Sequence, residues 1–269
     1  MTGSLMLVWF RRCLRRHTQD YRDTGVTAAC TSTEWPRMPL ATSTLALVLI
    51  LAGAAPEAVA RTDSPNPAGP DDGATILVFG DSISAAYGIQ REQGWVAQLR
   101  QRLQQRGGRW QVVNASVSGE TTGGGLARLP DALAEHHPEV VILELGGNDG
   151  LRGYPVPRMR DNLTRMVQLT REAGAAPLLV GMQIPPNYGP RYTRAFAGVF
   201  QEVASAENVA LVPFILEQVA LEPELMQDDG IHPKAEAQAL LLDTVWPHLA
   251  PLLGLHTASA DGRSAGRTA

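Results

Sequence analysis

Thr75-Ile76-Leu77-Val78-Phe79-Gly80-Asp81-Ser82-Ile83-Ser84 is the stretch on which the reading of this chain turns. It begins as an unbroken run of β-branched and apolar residues, bounded upstream by Pro, Asp and Gly. Such a run reads as a strand buried on both faces, not as the alternating strand of a half-exposed sheet. It stops at Gly80, where the missing side chain lets the backbone turn sharply, and two small polar residues follow. Ser82 then falls just past the carboxyl end of a strand, near the start of a following helix. In open α/β sheets that edge is where ligands bind. On this stretch alone, Asp81 and Ser82 are equally well read as helix caps, and the rest of the chain decides between the two readings.

Working outward, the same type of strand recurs. Trp110–Asn114, Val140–Leu145, Leu178–Met182 and Val209–Val212 are short apolar runs, each bounded by turn residues. Between them apolar residues repeat at helical spacing: Trp95, Val96, Leu99 and Leu103; Leu126, Leu129 and Leu133; Met159, Leu163, Met166 and Leu169 within 157–173; Phe196, Val199, Phe200 and Val203. A last helix over roughly 234–253 carries Leu240, Leu241 and Val245. Strands and helices alternating in this way predict one α/β domain over residues 74–254, a parallel sheet between two helix layers.

Upstream of the domain the composition changes. Arg37 precedes Met38 and an apolar run whose uninterrupted core, Leu45 to Ala55, leads to the small-x-small triplet Ala58-Val59-Ala60. That is the three-part pattern of a secretory signal, with cleavage expected after Ala60. The core is short for a membrane span of ~20 residues, although an uncleaved anchor stays an alternative, and translation from Met38 would place the pattern at the very amino terminus. Residues 1–60 hold both cysteines, Cys13 and Cys30, so the expected mature chain has none, and thiol nucleophiles and thiolate metal sites are excluded. Those residues also hold six Arg and four of the acids, leaving 17 basic and 23 acidic side chains and a net charge of −6. With no long basic run there is no nucleic-acid footprint. Residues 61–73 read as a flexible lead-in and 255–269 as a disordered tail. The localisation expected is export, to the periplasm or the medium, with no membrane span in the mature chain.

The polar residues at the strand ends complement one another. Ser82 follows strand one, Gly119 strand two and Asn148 strand three, while Asp229 and His232 lie between strand five and the last helix. In a parallel sheet these loops share one edge. A serine hydroxyl needs a base to become a nucleophile, and a histidine oriented by a carboxylate supplies one. His232 and Asp229 have those chemistries, and Gly230 between them eases the turn that folds one back on the other. Attack on an acyl carbonyl makes an oxyanion, for which the Ser82 and Gly119 N–H groups and the Asn148 amide are candidate donors. Each residue alone has a plainer reading as cap or turn chemistry; their order, one after each strand, is what points to acyl transfer. No Gly-x-Ser-x-Gly elbow, dinucleotide fingerprint or His-x-x-x-His pair is present, so no cofactor and no metal are expected.

Gly80-Asp81-Ser82 with Ser84 two places on, Val117-Ser118-Gly119, Gly146-Gly147-Asn148-Asp149 and Asp229-Gly230-Ile231-His232 together resemble the four blocks of the SGNH (GDSL-type) hydrolases. The resemblance covers nearly all of residues 75–254. It is closest to the periplasmic group of acyl-CoA thioesterase I, protease I and lysophospholipase enzymes, also called arylesterases, through the longer stretches 114–121, 145–153 and 226–233. The resemblance implies a flavodoxin-like, five-stranded parallel sheet in the order 2-1-3-4-5. It also implies a serine esterase or thioesterase with Ser82 as nucleophile, Asp229 and His232 as its triad partners, and Ser82, Gly119 and Asn148 as the oxyanion hole. Ile83 replaces the family's usual Leu, a volume-conserving change.

The segments 150–156 and 184–189 carry apolar bulk beside glycines and are expected to flank the crevice. Leu151, Tyr154, Ile184, Pro185 and Tyr188, with Asp81 below them, are the candidate substrate-binding residues, and the glycines at 146, 147, 150 and 153 suggest a loop able to shift. The expected partner is a small acyl ester, thioester or lysophospholipid, acted on by a monomer. A carbohydrate O-deacetylase on the same fold is the alternative, opposed by the apolar loops. A non-catalytic binding protein is opposed by the retention of both Ser82 and His232.

Overall fold

The structure, a computed structural model, describes residues 73–107 and 109–255. The upstream segment, the export pattern, nearly all of the lead-in and the tail past residue 255 lie outside the described residues.

Five parallel strands form one sheet. β1 (Ala74–Gly80) pairs with β2 (Trp110–Asn114) on one side and with β3 (Val140–Glu144) on the other. β3 carries β4 (Ala176–Val180), which carries β5 (Ala210–Val212), giving the order β2-β1-β3-β4-β5. All five residues of β3 are buried, as are Ile76 to Gly80 of β1. A strand buried on both faces has no reason to alternate, which is why the sequence shows continuous apolar runs. The chain steps from β1 to β2 in one direction and from β2 to β3 in the other. The crevice of such a sheet opens at that reversal, between β1 and β3, and the register sets Gly80 opposite Glu144 there.

In chain order the helices are α1 (Trp95–Gln105), α2 (Thr122–His136), α3 (Gly147–Leu151), α4 (Val156–Glu172), α5 (Pro190–Glu207) and α6 (Gln238–Leu249). α1 and α6 pack together on one side of the sheet, and α2, α4 and α5 in a row on the other. The buried face of α4 is Met159, Leu163, Met166, Val167 and Thr170, spaced three and four apart. Fully burying an apolar side chain of this size stabilises the fold by about 1.5–3 kcal/mol each. Among the described residues no helix is long and apolar enough to cross a membrane.

Three local expectations change. Ser82, expected near the start of a following helix, lies instead in a series of turns, closed by Ala85 N–H to Asp81 O (3.0 Å) and Tyr87 N–H to Ser82 O (3.1 Å), with Ala86 at φ 59°. α1 starts only at Trp95, so Ser82 is held by turns and not at a helix N-terminus. The last helix is shorter than 234–253, because 3₁₀ turns at Ala235–Ala237 and Ala250–Leu253 flank α6. The segment after β3, expected as a loop, contains α3.

Candidate active site

The turn after β1 and the loop before α6 meet across 150 residues of sequence. Ser82 Oγ lies 2.8 Å from His232 Nε2, and His232 Nδ1 lies 2.6 Å from Asp229 Oδ2. An ionised carboxylate only accepts, so Nδ1 carries the proton and Nε2 is left to accept from the Ser82 hydroxyl. The other oxygen, Asp229 Oδ1, accepts the Ile231 and His232 N–H groups at 2.9 and 3.0 Å. Burial on its own would raise the Asp229 pKa. The hydrogen bonds from the His232 backbone and ring and from Ile231 outweigh it and hold the carboxyl below its usual value.

The loop bearing this pair is pinned by its backbone. Gln227 N–H bonds His232 O (2.8 Å), Gly230 N–H bonds Gln227 O (2.9 Å), and Met226 and Pro233 form an antiparallel bridge. Gly230 sits at φ 68°, a left-handed turn that glycine adopts without strain. Gln227 Nε2 also donates to Tyr87 O (2.8 Å) and Pro233 O (3.1 Å), tying this loop to the turns after β1. The Tyr87 ring stands over the imidazole, with centroids 4.5 Å apart.

On the other side, Asn148 lies in α3, and its Nδ2 donates to Asp81 Oδ2 at 3.0 Å. The loop after β2 runs on beside β1, through Ala115 N–H to Val78 O (2.9 Å) and Val117 N–H to Gly80 O (3.0 Å). Gly119 follows two residues later at φ 79°, and its carbonyl accepts from Arg152 Nη2 at 2.9 Å. Ser82, Gly119 and Asn148 are thus drawn to the β1–β3 edge by separate sets of bonds. The arrangement holds a serine hydroxyl bonded to an imidazole, a carboxylate on the other ring nitrogen, and an amide bonded to the residue before the serine, groups of the kind that acyl transfer uses. Among the described residues no cluster of three His, Cys, Asp or Glu could hold a metal ion.

The groove residues divide. Tyr154 is 43% exposed, and Leu151, Pro185 and Tyr188 are half-buried. The two segments are laced together, with Tyr188 OH donating to Leu151 O at the end of α3 (2.8 Å) and Tyr192 OH, in the first turn of α5, to Tyr154 O (2.7 Å). Tyr188, Gly189, Pro190, Arg191, Tyr192 and Ala195 line an open hollow of about 370 Å³. A second, of about 680 Å³, is lined by Tyr87, Gly88, Gln227, Asp228, Asp229 and Lys234. Two expectations do not hold. Ile184 is buried (8% exposed), because it fills the space over Gly150 rather than facing the crevice. Asp81 is 2% exposed and turns its carboxylate inward to Ile83 N–H and Asn148, so it offers substrate no surface. The glycines of the segment differ from a simple hinge as well. A Cβ on Gly150 would stand 2.6 Å from both Ile184 Cγ2 and the Phe196 ring, so close packing requires that glycine.

Sequence reasoning missed Glu144 and Thr122. Glu144 Oε2 accepts from Ser84 Oγ (2.7 Å) and from Asp81 N–H (3.3 Å), on either side of Ser82 in the chain. Burial, followed by the nearby Asp81 charge, pushes its carboxyl well above the usual range. An acid inside an apolar strand run was the available signal, since buried acids need partners. Thr122 N–H and Oγ1 donate to the Asp149 carboxylate at 2.8 and 2.6 Å, fastening α3 to the start of α2.

Residues 78–240 match the GDSL-like Lipase/Acylhydrolase family. The esterase TesA of Pseudomonas aeruginosa is 56% identical over 179 residues, which is 66% of this chain and 89% of that protein. The thioesterase 1/protease 1/lysophospholipase L1 of Escherichia coli is 44% identical over 179 residues, 66% of this chain and 85% of that one. The crystal structure of TesA superposes with a TM-score of 0.65 at 56% identity, covering 66% of this chain and 99% of its own. That of the psychrotrophic esterase EstA from Pseudoalteromonas sp. gives 0.64 at 42% identity, covering 67% and 98%. The chain belongs to the GDSL-like lipase/acylhydrolase family and is, by class, a serine acyl hydrolase that cleaves carboxylic esters.

Proposed function

We propose that Ser82 is the nucleophile of this hydrolase, His232 its general base, Asp229 the orienting carboxylate, and Ser82 N–H, Gly119 N–H and Asn148 Nδ2 the oxyanion donors. Ser82 Oγ attacks the acyl carbonyl carbon while its proton passes to His232 Nε2. The carbonyl oxygen becomes an oxyanion held by the three donors. The intermediate collapses, the bond to the leaving alcohol or thiol breaks, and that group takes the proton from His232. Water then attacks the acyl-serine with His232 again as base, which releases the acid and restores the hydroxyl. Asp229, kept ionised by its hydrogen bonds, stabilises the imidazolium formed in each half.

The observation that carries this reading is the continuous Ser82–His232–Asp229 chain at 2.8 and 2.6 Å. The substrates are aryl esters, acyl thioesters and lysophospholipids, with the acyl or aryl part lying against Leu151, Tyr154, Pro185 and Tyr188. Relatives are named arylesterase and thioesterase 1/protease 1/lysophospholipase L1, and the EstA structure is described as inhibited by monoethylphosphonate. The pattern over residues 38–60 supports export to the periplasm or the medium, with residues 74–254 as the working domain, acting as a monomer. In rapid mixing with p-nitrophenyl butyrate, a burst of p-nitrophenol equal to the enzyme concentration is expected, then a slower steady state. His232→Ala should lose the burst and about 10⁴-fold or more in kcat, as triad members do elsewhere. Near-normal turnover in that variant would overturn the assignment. A chain-length series of these esters beside a lysophospholipid then ranks the substrates.

A further inference from the structure

Asp81 carries a buried carboxylate that the reaction just described does not use. It lies beside the nucleophile, 2% exposed, and both its oxygens are engaged: Oδ1 accepts Ile83 N–H and Oδ2 accepts Asn148 Nδ2–H, each at 3.0 Å. The Asn148 amide is planar, with two N–H bonds about 120° apart on one nitrogen. Fixing one of them on Asp81 therefore fixes the direction of the other. Turning the amide over would set its carbonyl oxygen against the carboxylate, acceptor facing acceptor. We infer that Asp81 is a positioning residue: its carboxylate selects the one orientation of the Asn148 side chain that presents the second Nδ2–H to the oxyanion.

The surroundings hold Asp81 to that task. Its own N–H is bonded to Glu144 Oε2 (3.3 Å), so the backbone is anchored as well as the side chain. Glu144 is committed to Ser84 Oγ, and Asp149 to Thr122, so neither acid competes for the Asn148 amide. The backbone of Gly147 lies beside the oxygen bonded to Asn148, so that even a Cβ there would stand 3.3 Å from Asp81 Oδ2. Burial pushes Asp81 up to about 6, opposed by Ile83 N–H, the charge of His232 and the Asn148 bond, while Asp149 raises it further. Above that pH the group is an anion able to accept at both oxygens. An asparagine at 81 has only one accepting atom, so Asp81→Asn must give up either the Ile83 or the Asn148 bond.

This inference rests on Asn148 being an oxyanion donor, and a double-mutant cycle separates the two ideas. Initial rates on p-nitrophenyl butyrate are compared for the wild type, Asp81→Asn, Asn148→Ala and the double variant, with active sites counted by fluorophosphonate titration. Asp81→Asn should lower kcat by about tenfold or more, up to the 10²–10³ that loss of a donor costs, with KM little changed. The double variant should be no slower than Asn148→Ala alone, because Asp81 acts through Asn148. Wild-type kcat in Asp81→Asn, or losses that multiply in the double variant, would overturn the role of Asp81 and leave that of Asn148 standing. Full activity in Asn148→Ala would overturn the donor role, and this inference with it. Should Asp81→Asn not fold, NMR of His232→Ala supplies the test without a change at 81. The Asn148 Nδ2 protons are expected to titrate with the midpoint of the Asp81 carboxyl carbon, and Nδ2 signals indifferent to that titration would overturn the proposal.

Discussion

In the mechanism proposed above, replacing Asn148 by alanine removes two interactions of different kinds, each with its own measurable cost. The first is the proposed donor to the oxyanion, felt only in the transition state, where loss of such a donor costs on the order of 10²–10³ in kcat, or about 2.7–4 kcal/mol. The second is the 3.0 Å bond to Asp81, present in the resting fold. Without it, a buried carboxylate oxygen loses its Asn148 partner, at a cost of about 1–3 kcal/mol. At about 2–4 °C per kcal/mol for a domain of this size, the melting temperature should fall by roughly 2–12 °C. Asn148→Ala is thus expected to fold, to melt a few degrees early, and to turn over p-nitrophenyl esters 10²–10³ times more slowly at nearly unchanged KM. Initial rates per titrated active site, with a thermal melt on the same sample, check both parts. An unchanged kcat would refute the donor role. A raised KM with kcat intact would make Asn148 a ground-state binding residue instead.

Other outcomes follow from packing and from buried charge. Gly150→Ala places a methyl 2.6 Å from Ile184 and Phe196. Such overpacking costs about 1–3 kcal/mol, so a melting temperature lowered by several degrees is expected, and an unchanged one would restore the view of Gly150 as a hinge. Burial lifts Asp81 from an unfolded value near 4 to about 6, so the native state binds the extra proton between those values. The penalty of burying its charge is therefore absent below about pH 4 and complete above about pH 6. Asp81→Asn does not titrate, so its melting temperature minus that of the wild type should grow more positive between pH 4.5 and 8, by roughly 4–8 °C for about 2 kcal/mol. A difference that stays constant with pH would show that the Asp81 charge is not buried at a cost.

The strands were legible because a parallel sheet buries both faces: Ile76–Phe79 and Val140–Leu143 read as continuous apolar runs, and nothing else in a soluble domain needs such runs so often. The helices were legible from their apolar spacing, as with Met159, Leu163 and Met166. Their ends were less so, because Pro247 and the 3₁₀ turns around α6 depend on packing that no local pattern announces. α3 was missed for a related reason. Gly147-Asn148-Asp149-Gly150-Leu151 has poor helix propensity, and tertiary bonds such as Asp149 to Thr122 hold it helical. Ser82, Asp229 and His232 could be brought together on paper because the topology sends their loops to one edge. The bond between Asp81 and Asn148, 67 residues apart, could not, since side-chain direction decides it.

Treatment with a fluorophosphonate, followed by peptide mapping in the mass spectrometer, tests most directly whether the hydroxyl 2.8 Å from the His232 ring is the reacting atom. One phosphonyl group per chain is expected, on the peptide containing Ser82, with none taken up by Ser82→Ala. An adduct on any other residue, or an equal one in Ser82→Ala, would contradict the account.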